Sequence, residues 1–270
     1  MTEVAAVARR LGRRAVPHAR LRWTISLIWI LSRKAFQIRF KRSFLGILWV
    51  IVQPAVQAAV LIFIVLKVFR AAPSHDYPLY VLSGMVPWAF TLHSLGGATA
   101  SVVENASLVR KVRVPSVVYP ASAVGGYFIA FLAPLSLLCL TSLLNGAFST
   151  ATMLLPLAVV LHVALLLGVG TLTAGYYVTY RDVRHMIEAG TSLLFYLTPI
   201  IYELRQLPGW AQNVVRANPL CGVMSIYRAA LVGRPLDGAA VLVSCLFTGA
   251  VLVLLPTAFA RRAGEFADLV

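Results

Sequence analysis

Residues 114–180 read VPSVVYPASAVGGYFIAFLAPLSLLCLTSLLNGAFSTATMLLPLAVVLHVALLLGVGTLTAGYYVTY, 67 positions without one Asp, Glu, Lys or Arg. A helix rises about 1.5 Å per residue and a bilayer's hydrocarbon core is about 30 Å thick, so about 20 apolar residues cross it once. This stretch covers the distance twice with room for a turn. Asn145-Gly-Ala-Phe-Ser-Thr150, near its middle, is made of turn-forming residues. It reads as two antiparallel membrane helices. The whole chain of 270 residues agrees, being 60% hydrophobic and 12% charged, against about 45–50% and about 25% in soluble domains. A compact soluble fold of this size still exposes much of its surface, so the solvent for this one is lipid. That excludes a soluble enzyme, a disordered chain and a nucleic-acid-binding domain, although the net charge of +15 points first to the last.

Working outward, Ser43–Leu66 and Tyr77–Val103 are further charge-free stretches of spanning length, and Gly238–Ala260 is another. Five spans follow. Between Glu188 and Glu203 lies a shorter apolar run, Ala189–Tyr202, which becomes a sixth span if Met186 and Ile187 extend it and Glu188 sits at the interface. Beyond it, Glu203–Arg234 is broken by Pro208, Pro219 and several arginines, the pattern of short helices that dip back into the membrane. The expected fold is an all-α membrane protein with six transmembrane helices and re-entrant elements between spans five and six.

Charge sets the expected orientation. Eleven of the 24 Lys and Arg precede Phe44, against one acid, Glu3. With both termini inside, the inner segments hold 18 of the 24 and the outer segments six. Positive residues are retained on the cytoplasmic side, so the reading is a multi-pass protein of the bacterial inner membrane with both termini in the cytoplasm. The expected division is 1–42, a cytoplasmic N-terminus with an interface helix; 43–260, the spanning domain; and 261–270, a cytoplasmic tail. Arg33, Lys34, Gln37 and Lys41 share one helical face while Ala35, Phe36 and Ile38 lie mostly off it. An amphipathic helix in the interface fits that pattern, and a generic basic anchor is the alternative. Cys139, Cys221 and Cys245 have no ligand-like spacing and read as small buried hydrophobes.

Several chemistries lack their residues. None of the four lysines follows Gly or precedes Ser or Thr, so there is no phosphate-cradling Walker A loop. No Asp or Glu lies within the five spans, which leaves carboxylate-based proton coupling without a carrier. The five histidines are scattered without metal-type spacing. The expectation is a chain that is not itself an enzyme and has no catalytic residues, metal or cofactor of its own.

Four short signals remain, in order: Arg39-Phe-Lys-Arg-Ser-Phe-Leu-Gly-Ile-Leu-Trp49, Gly84-Met-Val-Pro-Trp-Ala-Phe90, Asn105-Ala-Ser-Leu-Val-Arg-Lys111 and Tyr180-Arg-Asp-Val183. The last two lie in short charged loops on the face that carries both termini, where they would dock a cytosolic partner; solvated connectors are the alternative. In this order and with six spans, the chain resembles the permease subunits of type-2 ABC exporters for lipid-linked polysaccharides, the Wzm-type proteins and their teichoic-acid relatives, from about Arg33 to the last span.

The resemblance implies a homodimer bound to two copies of a separate Wzt-type ATPase, which supplies the ATP and Mg sites. It implies coupling helices at Glu104, Asn105, Leu108, Arg110, Lys111 and Arg113 and at Arg181, Asp182, Arg184 and His185. It makes Glu203–Arg234 the outer gate and Trp23–Arg42 the interface helix. It also places a polymer channel at the dimer interface, with a lipid-accessible opening beside the first and fifth spans. A polyprenyl-diphosphate-linked glycan needs cations at the inner interface, for which Arg39, Lys41 and Arg42 are candidates. Its sugar rings can lie against Trp88, Phe90, Tyr127, Phe131, Tyr176, Tyr177 or Tyr196, with ordinary aromatic packing the alternative for each. The cargo favoured by the Ala-, Leu- and Arg-rich composition is a cell-wall galactan, ahead of O-antigen or teichoic acid. A drug or small-lipid exporter of the same fold, a membrane-embedded envelope-synthesis enzyme and a membrane scaffold are the competing readings.

Overall fold

In a computed structural model, the described residues are 17–41, 44–68, 76–111, 114–147 and 150–263, without the side chains of 17–20, 110–111 and 255–263. They form helices α1 (Pro17–Phe40), α2 (Trp49–Phe63), α3 (Tyr77–Glu104), α4 (Ala106–Lys111) and α5 (Val118–Leu144). After these come α6 (Leu155–Thr179), α7 (Val183–Leu197), α8 (Gly209–Arg216), α9 (Pro219–Val232) and α10 (Gly238–Ala263). A 3-10 turn at Gly46–Leu48 and a π turn at Ile64–Val68 lengthen α2, and a 3-10 turn at Thr150–Leu154 leads into α6. No strand occurs among the described residues.

Three helical runs, Gly46–Val68, Val118–Leu144 and Thr150–Thr179, are long and apolar enough to cross a membrane. Pro219–Val232 and Gly238–Leu254 are shorter apolar helices. Helix α3 has 28 residues, about 42 Å at the helical rise, but it is less apolar than those three. The reason is its position: it touches α2, α5, α6, α7 and α9 and faces protein on most sides. Ser83, Thr91, Ser94, Thr99 and Ser101 are therefore buried in protein. Four of them return their hydroxyls to carbonyls of α3 itself, at Tyr80, Pro87, Leu95 and Ala98. Of the turn expected at 145–150, Asn145 and Gly146 are seen to turn, with Gly146 at φ +68° and Asn145 Nδ2 donating to Thr141 O at 2.7 Å, while 148–149 lie outside the described residues. The short run at 189–202 gains Val183–Glu188 at its start and stops at Leu197, giving a helix of 15 residues. The two short helices anticipated beyond it are α8 and α9.

Small residues set the helix contacts. A Cβ on Gly170 of α6 would come within 2.6 Å of Ala98 Cβ on α3, and Gly97 lies directly under the Tyr127 ring of α5. Gly125 and Gly126 of α5 receive Ser32 and Ala35 of α1. That contact buries Ser32 and turns Arg33, Lys34, Gln37 and Lys41 outward, as the sequence pattern requires; Ile38 is also exposed. Gly222 of α9 meets the carbonyl of Ala240 and the hydroxyl of Ser244 on α10. At the centre, His162 Nε2 shares a 2.8 Å hydrogen bond with Thr91 Oγ1, and its Nδ1 lies 3.5 Å from the Tyr227 hydroxyl.

The connections sort to two ends. At one, Leu108 and Val109 of α4 pack with Val102, Tyr119, Ala174 and Val178. At the other, Tyr77 and Tyr80 donate to the carbonyls of Ile201 and Tyr202, and Ser142 and Thr152 donate to Leu231 and Ala230 of α9.

The contact at Gly222 gives a direct expectation. Gly222→Ala places a methyl group against backbone, so stability should fall by about 1–3 kcal/mol, the usual cost of overpacking. Gly190→Ala, inside α7 where a Cβ meets nothing within 4 Å, is the control and should raise the denaturation midpoint in detergent slightly through its helix propensity.

Candidate functional site

The basic aromatic run that begins at Arg39 ends helix α1 and turns into α2, delivering one cation to the side of the helical bundle. The Arg39 guanidinium lies 3.4 Å from the centroid of the Tyr127 ring, a cation–π stack. The His93 ring is parallel to the same tyrosine, at 5.9 Å between centroids. The flat backbone at Gly97 is what lets Tyr127 lie down against α3. Phe90 and Phe131 continue the wall, stacked at 4.6 Å. These residues, with Phe40, Trp49, Gln53 and Pro54, line a cavity of about 280 Å³ between α1, α2, α3 and α5. It is an aromatic chamber with a cation at its mouth.

A second hollow of about 470 Å³ runs between α2 and α7 over the face of α3. Val56, Gln57 and Val60 form one side, Thr191, Ser192 and Tyr196 the other, and Trp88 the floor. Trp88 is held by an edge-on contact with Phe195 at 5.4 Å.

The seven aromatics singled out from the sequence thus divide three ways. Phe90, Tyr127 and Phe131 share the chamber, and Trp88 and Tyr196 share the hollow. Tyr176 and Tyr177 lie apart from both, at the loop end of α6, where the Arg181 guanidinium sits 5.4 Å from the Tyr177 ring. Of the three proposed interface cations, Arg39 enters the chamber, Lys41 is exposed, and Arg42 lies outside the described residues.

The loop residues also acquire positions. Asn105 donates from Nδ2 to Ser101 O at 2.7 Å, closing the end of α3. Leu108 anchors α4 in the small apolar cluster at that end, while Glu104 is exposed. Arg110 and Lys111 belong to α4 without described side chains, and Arg113 lies outside the described residues. Asp182 and Arg181 are exposed in the turn before α7. Arg184 and His185 flank Glu188, at 3.0 and 3.6 Å, on the exposed first turns of α7. The first loop bears directly on this apolar cluster, and α6, which leads into the second loop, contributes Ala174 and Val178 to it.

The model of the ABC-2 type transporter family matches residues 26–232. The chain belongs to that family. This ABC-2 chain is 26% identical over 248 residues to the O-antigen export system permease protein RfbA of Myxococcus xanthus, covering 90% of this chain and 95% of that one. A Klebsiella pneumoniae protein of the same name is 24% identical over 253 residues, 93% and 97% of the two chains. The polysialic acid transport protein KpsM of Escherichia coli is 23% identical over 220 residues, 80% and 85% of the two. Permeases of the family normally pair with an ATPase subunit.

Sequence reasoning missed the charged group at the opposite end of this ABC-2 chain. Arg216 pairs with Asp237 at 2.9 Å and Arg234 with Glu203 at 3.3 Å, while Arg228 is buried between them. Burial raises the Asp237 carboxyl, but N–H donors from Ala240 and Ala239 and the Arg216 guanidinium outweigh it and hold the group below the usual range. The available signal was one arginine inside the otherwise apolar run Pro219–Val232.

The Arg39–Tyr127 stack is open to measurement. In a double-mutant cycle with Arg39→Met and Tyr127→Leu, the coupling in unfolding free energy should be about 0.5–2 kcal/mol. A coupling near zero would mean the stack does not hold α1 to α5.

Proposed function

We propose that this chain is the membrane-spanning subunit of an ATP-driven exporter that moves a lipid-linked polysaccharide outward across the bacterial inner membrane. The observation that carries the reading is the chamber in which a cation and stacked aromatic rings meet at the end of α1. Arg39 supplies the charge that a carrier diphosphate needs, and Phe90, Tyr127 and Phe131 form the aromatic wall beside it. The relatives, named for O-antigen export and polysialic acid transport, support the cargo class.

The finer reading follows from the same parts. Helices α2, α3, α5, α6, α7 and α10 are the six spans, with α4 and the 180–185 turn at the cytoplasmic face and both termini inside. Helices α8 and α9 are the outer gate. The subunit works as a homodimer with two copies of a separate ATPase of the Wzt type, which binds the ATP and Mg. The hollow between α2 and α7 corresponds to a lateral opening beside the first and fifth spans, and the polymer passes along the dimer interface. A cell-wall galactan on a polyprenyl diphosphate is the favoured cargo.

Closure of the ATPase pair would displace both loops, and the apolar cluster under α4 would pass the first loop's displacement to α3, α5 and α6 together. A drug or small-lipid exporter of the same fold is the second reading. Arg39 at the chamber mouth favours an anionic carrier over it.

Two measurements test this. A pull-down of the chain from its native membrane should bring a stoichiometric Walker-containing subunit with vanadate-sensitive ATP hydrolysis. A single protein without ATPase activity would overturn the reading. In the complex, Asp182→Ala or Arg110→Glu should leave ATP hydrolysis running while export of the lipid-linked glycan falls at least tenfold; unchanged export in both variants would remove these loops from the coupling path.

A further inference from the structure

A cavity of about 380 Å³ lies at the end of the bundle opposite α4, walled by α3, α8, α9 and the chain around residues 199–205 and 234–238. Four guanidinium groups reach it, from Arg205, Arg216, Arg228 and Arg234, against two carboxylates, Glu203 and Asp237. Both carboxylates are taken, by Arg234 at 3.3 Å and Arg216 at 2.9 Å. Arg205 is exposed at the rim and makes no ion pair among the described residues.

Arg228 is the unusual member. It is only 6% exposed. Its guanidinium lies 3.7 Å from the centroid of the Tyr80 ring, and Nη2 donates to Ile200 O at 3.1 Å. Its Nε has no hydrogen-bond partner, and no carboxylate pairs with it among the described residues. A guanidinium does not give up its proton in a protein, so this charge persists where water cannot solvate it well. Holding Ile200 and capping Tyr80 uses one donor group and one ring face; the Nε is buried without a partner, in a residue that lines the open cavity.

We infer that this cavity is a binding site for a phosphoryl anion, with Arg228 as its buried anchor and Arg205, Arg216 and Arg234 around it. Four guanidinium groups against two carboxylates leave a surplus of two positive charges, one buried at Arg228 and one exposed at Arg205, which favours an anion. Planar guanidinium forks match the oxygens of a phosphate or diphosphate in a way a halide cannot exploit. The volume also exceeds what one small ion fills, leaving room for a second phosphoryl group. Taken with the export reading proposed above, on which the assignment of a physiological ligand rests, this end faces outward. The site would then receive the carrier's diphosphate as it arrives at the outer leaflet. The headgroup of an ordinary anionic phospholipid offers the same chemistry and is the other source.

The test uses the full chain in phosphatidylcholine nanodiscs and inorganic pyrophosphate as the probe, followed by calorimetry. Wild-type chain should bind pyrophosphate. Arg228→Met, near the same length and uncharged, should weaken binding at least tenfold, and Arg205→Gln, on the exposed rim where folding is not at stake, about threefold. Absence of binding by wild type, or binding that neither variant weakens, overturns the proposal. Should Arg228→Met prove misfolded by gel filtration, the rim variant and the competition below decide the matter. Displacement of pyrophosphate by a short polyprenyl diphosphate, with phosphatidylglycerol ineffective, supports the carrier. Displacement by phosphatidylglycerol alone keeps the phosphoryl site and gives it to phospholipid, which counts against the carrier reading and leaves the site standing.

Discussion

Two apolar helices in lipid gain no hydrophobic energy by touching, because hydrocarbon already surrounds them; they associate through close van der Waals contact and polar groups shielded from lipid. Everything else in this molecule depends on that constraint. It is met where side chains shrink: Gly97 under Tyr127, Gly170 against Ala98, Gly125 and Gly126 under α1, and Gly222 against Ala240. It is met again by hydroxyl and imidazole groups that bond across helices, Thr99 with Thr173 and Thr91 with His162. Helix α3 collects most of these contacts, and for that reason it can be less oily than α2, α5 and α6 while lying at the centre.

The same constraint separates the electrostatics into two places. The chamber holds a single cation over an aromatic ring, a contact that works at the border of lipid and water because the arginine stem is apolar and its head can reach out. The far end holds its charges among one another. Arg216–Asp237 and Arg234–Glu203 are partly buried ion pairs between α8, α9 and the segments beside them, so the short helices there are joined by charge as well as by packing. A helix of eight residues such as α8 has little stability alone. The ion pair to Asp237 is part of what fixes it.

Much of the fold was legible in the sequence, for reasons visible in particular residues. Charge-free runs marked the helices because an uncompensated charge is not tolerated in lipid, and Asn145-Gly146 marked the turn because glycine accepts the positive φ found there. The basic face of α1 was legible because helical period alone decides it. The site was only half legible. Composition supplied the aromatic residues but not which of them meet, since Tyr127 joins Phe90 through a glycine one turn beyond His93 on another helix. Tyr176 and Tyr177 had the same credentials and stand at the loop end instead. Arg228 stayed hidden because its meaning comes from Tyr80 and Ile200, far away in the chain.

The seating of α1 has a consequence for how the protein is made. Ser32 rests on Gly125, a partner 93 positions later, and at about 5–20 residues per second the ribosome needs roughly 5–20 s to supply it. During that interval α1 has no groove to enter. Its outward basic face, Arg33, Lys34 and Lys41, and the apolar residues behind it suit a stay on an anionic membrane surface. Such a surface would hold the first helix until α5 arrives to take it over.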